Sequence, residues 1–189
     1  MLNSLIGIIA SSGGAAAGGD YESIATTTVG AGGTSTITFS SIPSTYQHLQ
    51  IRGISRNNSG GGANNYAGEI RFNSDTGNNY NGHTLYGTGS TAAAYAFGQS
   101  TFAYAFDTAG SAATSNAFSV AIIDILDYAN TNKYKTIRDL GGYDGNDTNG
   151  TVRLLSGLWM STSAVTSITL TPPYPFAQYS SFALYGIKS

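Results

Sequence analysis

Bulky apolar and polar residues alternate along most of this chain, and clusters of Gly, Asn and Ser interrupt the alternation roughly every 8–15 residues, the spacing of short antiparallel strands. The strongest stretch is Phe118 to Lys135, FSVAIIDILDYANTNKYK. Phe118, Val120, Ile122, Ile123, Ile125 and Leu126 make a run that reads as a buried strand. Asn130, Thr131 and Asn132 read as a turn, and Lys133, Tyr134 and Lys135 start a returning strand that continues to Leu140. The same theme recurs in both directions. Tyr21 to Val29 and Thr34 to Phe39 flank Gly30–Gly33 and read as a first hairpin. Tyr46 to Arg56 alternates, with Gly53 as a bulge, and so does Tyr66 to Asn73. His83 to Tyr86 is a short strand between two loop-like stretches, 74–82 and 87–94. Tyr95 to Phe106 has period two in each half with a slip at 98–101, which fits two strands or one bulged strand. Thr151 to Met160, carrying the single Trp159, reads as buried; Ala164 to Thr171 and Ser181 to Ile187 complete the series. The pattern predicts an all-β fold, an antiparallel β-sandwich of jelly-roll type, over residues 20–189.

Residues 1–19 follow a different rule. Leu2, Leu5, Ile6 and Ile9 recur at helical spacing with Ile8 beside them, and SSGGAAAGG follows as a small-residue tether. No Lys or Arg precedes the apolar run, as a secretory signal would require, and the run is too short to cross a bilayer. The segment reads as an extended or helical anchoring arm, with Leu2, Leu5, Ile6, Ile8 and Ile9 as the anchoring side chains.

Composition narrows the function. Only 10% of the 189 residues are charged, against about 25% in ordinary domains. Tyr (13) and Gly (25) are abundant, a balance typical of all-β surface proteins. The net charge of −2 and the lack of a basic block argue against nucleic acid as a partner, and no segment predicts membrane insertion. With no Cys, thiolate chemistry and disulfides are excluded.

Motifs that suggest chemistry dissolve on inspection. Asp75-Thr76-Gly77 matches the aspartic-protease tripeptide, but Asn78 follows it and polar loop surrounds it, so a turn is the simpler reading. From Asp144 the calcium-loop pattern fails, because Asn149 and Leu155 stand where Gly and a carboxylate belong. His48 and His83 have no nucleophile elbow and are too few for a zinc site. No enzyme, cofactor or metal is predicted. Two surface features remain. Asp124, Asp127, Lys133, Lys135 and Arg138 concentrate charge near the central turn, either as cross-strand pairs or as an intersubunit contact. Tyr66, Tyr80 and Tyr86 lie near loops and are candidates for stacking on a glycan.

Several stretches carry a resemblance. They are Tyr21-Glu-Ser-Ile-Ala, Ile37-Thr-Phe39-Ser-Ser-Ile42-Pro43, Tyr46-Gln-His-Leu49-Gln-Ile-Arg52, Phe72 to Tyr80, Ile123 to Thr136, Ser156-Gly-Leu-Trp159-Met and Phe182 to Lys188. Together they resemble a family of small virion structural proteins of tailed bacteriophages, common among cyanophages and other marine phages. The resemblance covers about Tyr21 to Lys188 and carries no catalytic residue. It implies a non-enzymatic structural protein in the virion, a capsid decoration or cement protein contacting the major capsid protein. The alternative is a tail- or head-fibre component that binds a host receptor or glycan beside other tail or fibre proteins. A homotrimer is the expected assembly.

Overall fold

A computed structural model of the chain describes residues 20–145 and 148–188. Twelve strands lie within them: β1 (Tyr21–Thr28), β2 (Ile37–Phe39), β3 (His48–Ser55), β4 (Asn65–Phe72), β5 (Tyr80–Gly87), β6 (Ala92–Ser100), β7 (Ala103–Ala109), β8 (Ser119–Leu126), β9 (Lys135–Asp144), β10 (Gly150–Trp159), β11 (Ile168–Thr171) and β12 (Ser181–Ile187). All pairs are antiparallel. One sheet has eight strands in the order β1-β12-β3-β8-β9-β10-β5-β6; the other has four, β2-β11-β4-β7.

The order contains a jelly roll. Strands β1-β12-β3-β8 face β2-β11-β4-β7, the arrangement that two interlocked Greek keys produce. The remaining strands, β9-β10-β5-β6, extend the first sheet beyond β8. Two hairpins supply this extension, one inserted after β4 and one after β8. The expected hairpin of the first two strands does not form. β1 pairs with β12 and β2 with β11, because the chain crosses from one sheet to the other at the intervening turn. The central turn is a hairpin as read: β8 and β9 pair from Leu126↔Thr136 to Val120↔Gly142. Asp127 enters the turn with a left-handed φ of 48°, a backbone state that Asp tolerates better than the neighbouring aliphatics.

The core lies between the sheets and is aromatic at two places. Phe106, Phe176 and Phe182 pack with ring centroids 5.3–5.9 Å apart. Trp159, Phe72 and Tyr80 form the second cluster, 5.4–6.4 Å apart. Burying side chains of this size is the main favourable term of the fold, about 1.5–3 kcal/mol each before entropy. Three cross-strand pairs set a glycine opposite a phenylalanine: Gly53 with Phe182, Gly68 with Phe106 and Gly82 with Phe97. A Cβ on any of these glycines would come within 2.4 Å of the facing ring, so the ring lies flat across the space a side chain would fill.

Candidate functional surface

Strand alternation divides the side chains of the eight-stranded sheet between the core and an outer face. On the outer face the register sets side chains in rows that run across the strands. One row reads Arg52, Ile122, Leu140, Leu154, Leu85, Ala94 from β3 to β6. The next reads Ile54, Val120, Gly142, Val152, Gly87, Ala92. Seven aliphatics of these rows (Ile54, Leu85, Val120, Ile122, Leu140, Val152 and Leu154) are 41–68% exposed. At about half exposure each they offer on the order of 600–700 Å² of apolar surface, above the range of about 300–600 Å² for the largest patch of a typical monomer. The run from Phe118 to Leu126 is therefore not a buried strand throughout. Ile123 and Ile125 are buried, while Val120 and Ile122 point out with Leu126. Val152 and Leu154 likewise break the expected burial of β10.

A polar row borders the apolar ones: Tyr185, Gln50, Asp124, Arg138, Ser156, His83. Arg138 Nε donates to Asp124 Oδ2 at 3.2 Å and Gln50 Nε2 to Oδ1 at 2.7 Å. At the β1 side the first apolar row ends on Arg52, whose guanidinium lies 5.3 Å from the Tyr21 ring centre.

The five charged candidates divide among three roles. Asp124 and Arg138 are a cross-strand pair on this outer face. Asp127 and Lys133 close the β8–β9 turn at 2.6 Å, and the Lys133 ammonium chiefly holds the Asp127 carboxyl below the usual range. His48 Nδ1 accepts the Asp127 backbone N–H at 2.9 Å. Lys135 is not an interface residue. It is fully buried, and its ammonium donates to the carbonyls of Asn130 (2.6 Å), Lys133 (2.8 Å) and Thr162 (3.3 Å). It satisfies a turn whose carbonyls point inward, and burial lowers its pKa.

The three tyrosines do not converge. Tyr80 is fully buried, its hydroxyl accepts the Phe72 N–H at 3.0 Å, and its pKa is pushed up to about 12 by burial. It cannot stack on a sugar. Tyr66 donates to Gly61 O and accepts from Ala63 N, both at 3.1 Å, and meets Tyr174 edge-on, so it pins the Gly-rich loop after β3. Tyr86 packs edge-on against Tyr95. Near the Tyr86 end of β5, an open cleft of about 720 Å³ lies between residues 87–90, 143–144 and 148–152. Its walls are the β5–β6 turn and the β9–β10 turn, which lie far apart in the chain, so the sequence does not show them as one site. The anchoring candidates Leu2, Leu5, Ile6, Ile8 and Ile9 lie outside the described residues.

Asp75 acts as a turn and a tether. Its carboxylate accepts the Gly77 N–H (2.8 Å), the Asn79 amide (2.8 Å) and the Trp159 indole N–H (2.7 Å). Burial would raise its pKa, and these donors outweigh it and lower the pKa.

The remaining charge cluster is internal. Asp107 of β7 and Asp139 of β9 are each 1% exposed, and Arg153 of β10 reaches Asp107 with Nη1 2.9 Å from Oδ1. Neither oxygen of Asp139 meets a hydrogen-bond donor among the described residues. Burial raises both carboxyls, most of all Asp139, where the charge of Asp107 adds to it and Arg153 opposes it. The cluster joins the extension to the jelly roll and, being enclosed, offers no substrate access. Among the described residues no group of three or more His, Asp or Glu side chains is placed to hold a metal ion. Neither the family models nor the curated proteins compared with the sequence match it.

Proposed function

We propose that this chain is a non-enzymatic structural protein of a tailed-phage particle, displayed on the virion surface and held there by its N-terminal arm. Within that class a capsid decoration role fits best. The observation that carries the reading is the outer face of the eight-stranded sheet, where seven half-exposed aliphatics lie in two register rows. Such a face gains from being covered by another protein, here the capsid shell. The sequence resemblance to phage virion proteins and the Leu2–Ile9 aliphatics support the same reading.

The test is electron cryomicroscopy of particles with and without this chain, paired with a full-length Leu5→Ser, Ile6→Ser variant. Density spread over the capsid lattice that disappears in the variant is the expected result. Density at the tail alone would overturn the decoration role.

One observation favours a second reading, a fibre component that binds a receptor glycan. The 720 Å³ cleft is lined by Thr, Ser, Asn and Gly beside Tyr143, a set able to hydrogen-bond sugar hydroxyls. Binding of host polysaccharide that is lost on Thr88→Trp, a change that fills the cleft, would support it.

A further inference from the structure

A sheet edge exposes a row of unpaired N–H and C=O groups, and proteins protect such rows with charge, proline, bulges, shortness or cover. The two sheets have four edges among the described residues, and three are protected. β1 carries Glu22, tied to Lys188 and Tyr46, and a register shift between Ser23 and Ala25. β2 is three residues long. β7 is buried from Ala105 to Ala109 and lies against β8 and β9, and the Asn57 N–H takes the carbonyl of Ala109. β6 has only one of these devices, a register shift confined to its far end, where Gln99 has a left-handed φ of 51°. Its nine residues, AAAYAFGQS, include no charge and no proline, and most are exposed. Ala92 to Phe97 pair regularly with β5, and the one irregularity falls beyond them, opposite Tyr80 to Gly82.

We propose that β6 is a self-pairing edge, which joins two copies of the chain antiparallel about a twofold axis centred on Ala94. Facing residues of an antiparallel pair lie on the same side of the sheet, so a twofold pairing of identical strands centres on one residue. With Ala94 at the centre, the outer face sets Ala94 opposite its own copy and Ala92 opposite Ala96. The inner face sets each Ala93 opposite a Tyr95, small against large. Identical strands without charge meet no like-charge repulsion, and four alanines leave the edge flat. The apolar row Ile122, Leu140, Leu154, Leu85 ends at Ala94, so pairing there makes one continuous apolar band across both copies. The inference is independent of the virion reading, and it replaces the threefold assembly expected from the sequence with a twofold one.

Sedimentation velocity of the full chain across the micromolar range tests it. The expected result is a concentration-dependent species of twice the 19.5 kDa chain mass. Ala94→Lys sets two ammonium groups face to face and should weaken the dimer on the order of 100-fold, since like charges brought together at an interface cost several kcal/mol. Val120→Lys, on the same face but four strands away, should leave the dimer unchanged. In the unmodified chain, amide exchange across Ala92–Phe97 should slow as concentration rises, a readout that needs no variant to fold. A monomer or trimer at all concentrations, a dimer untouched by Ala94→Lys, equal loss in Val120→Lys, or exchange at β6 indifferent to concentration would each overturn the proposal.

Discussion

The jelly roll and the four strands that extend it fill their inward positions differently. Between the jelly-roll sheets the inward positions are Leu49, Ile51, Ile70, Phe72, Phe106, Ile123, Phe182 and Leu184, all fully buried. In the extension, neighbouring inward positions hold Asp139, Arg153 and Thr84, while Leu140, Leu154, Val152 and Leu85 face out. The jelly roll supplies most of the apolar core; the extension adds Ile137, Leu155, Trp159 and Tyr80 to it, yet beside them keeps charges inside and aliphatics at the surface. The free energy of folding therefore concentrates in the jelly roll. The extension leaves apolar area unspent, and that area becomes available for association.

The contrast can be broken from the core side first. Phe182→Ala removes a ring packed on Phe106 and Phe176 and should cost about 3–5 kcal/mol, read as a fall in the urea midpoint with little change in slope. A loss under 1 kcal/mol would mean that the jelly roll does not hold the stability.

At the junction, Arg153→Met leaves Asp107 and Asp139 buried without their cation and should cost about 3 kcal/mol at neutral pH. The penalty should depend on pH with a definite sign. Both carboxyls are raised on folding, so the folded chain holds protons that the unfolded chain releases. Their favourable contribution is fullest below the unfolded carboxylate value of about 3.9 and is lost as pH rises through the raised folded values. Without Arg153 both values rise further. The gap between the variant and the native chain should therefore be wider at about pH 8 than at about pH 5, by urea unfolding at each. An equal gap at both would show that the cluster does not titrate. Asp75 and Asp127 run the other way: their lowered values support the fold above the unfolded pKa and release it in acid.

The smallest effect belongs to the outer face. Val152→Ser, at a side chain 68% exposed, should change the stability of the isolated chain by no more than about 0.5 kcal/mol. A larger loss would mean that the face already packs against something in solution.

The position of most strands and their alternation were legible because period-two patterns and Gly/Asn turns are local signals. What pairs with what was not: β1 with β12 and β2 with β11 bring together residues more than 100 apart, and nothing between Thr28 and Ile37 encodes that crossing. β6 was partly read as loop because Ala92, Ala93 and Ala94 have weak strand preference; their pairing to β5 decides the matter. Tyr80 was misplaced because the Asn/Gly-rich 74–82 stretch hides the start of β5. Lys135 could have been found, since it shares the inward alternation of Ile137 and Asp139. The outer apolar face could not, because Val120 and Ile122 on one side of β8 look the same in sequence as Ile123 and Ile125 on the other.

The glycines beneath Phe182, Phe106 and Phe97 have a consequence for how this sequence can drift. Each glycine and its ring form a single heritable unit split across two strands. Any side chain at Gly53 collides with the ring that fills its place, and a smaller residue at Phe182 uncovers the bare backbone of Gly53. Either step alone is closed, and the pair is free to change only together. Lineages of this fold should therefore carry these positions as matched couples, glycine with aromatic or neither, even where the loops between them have lost all likeness.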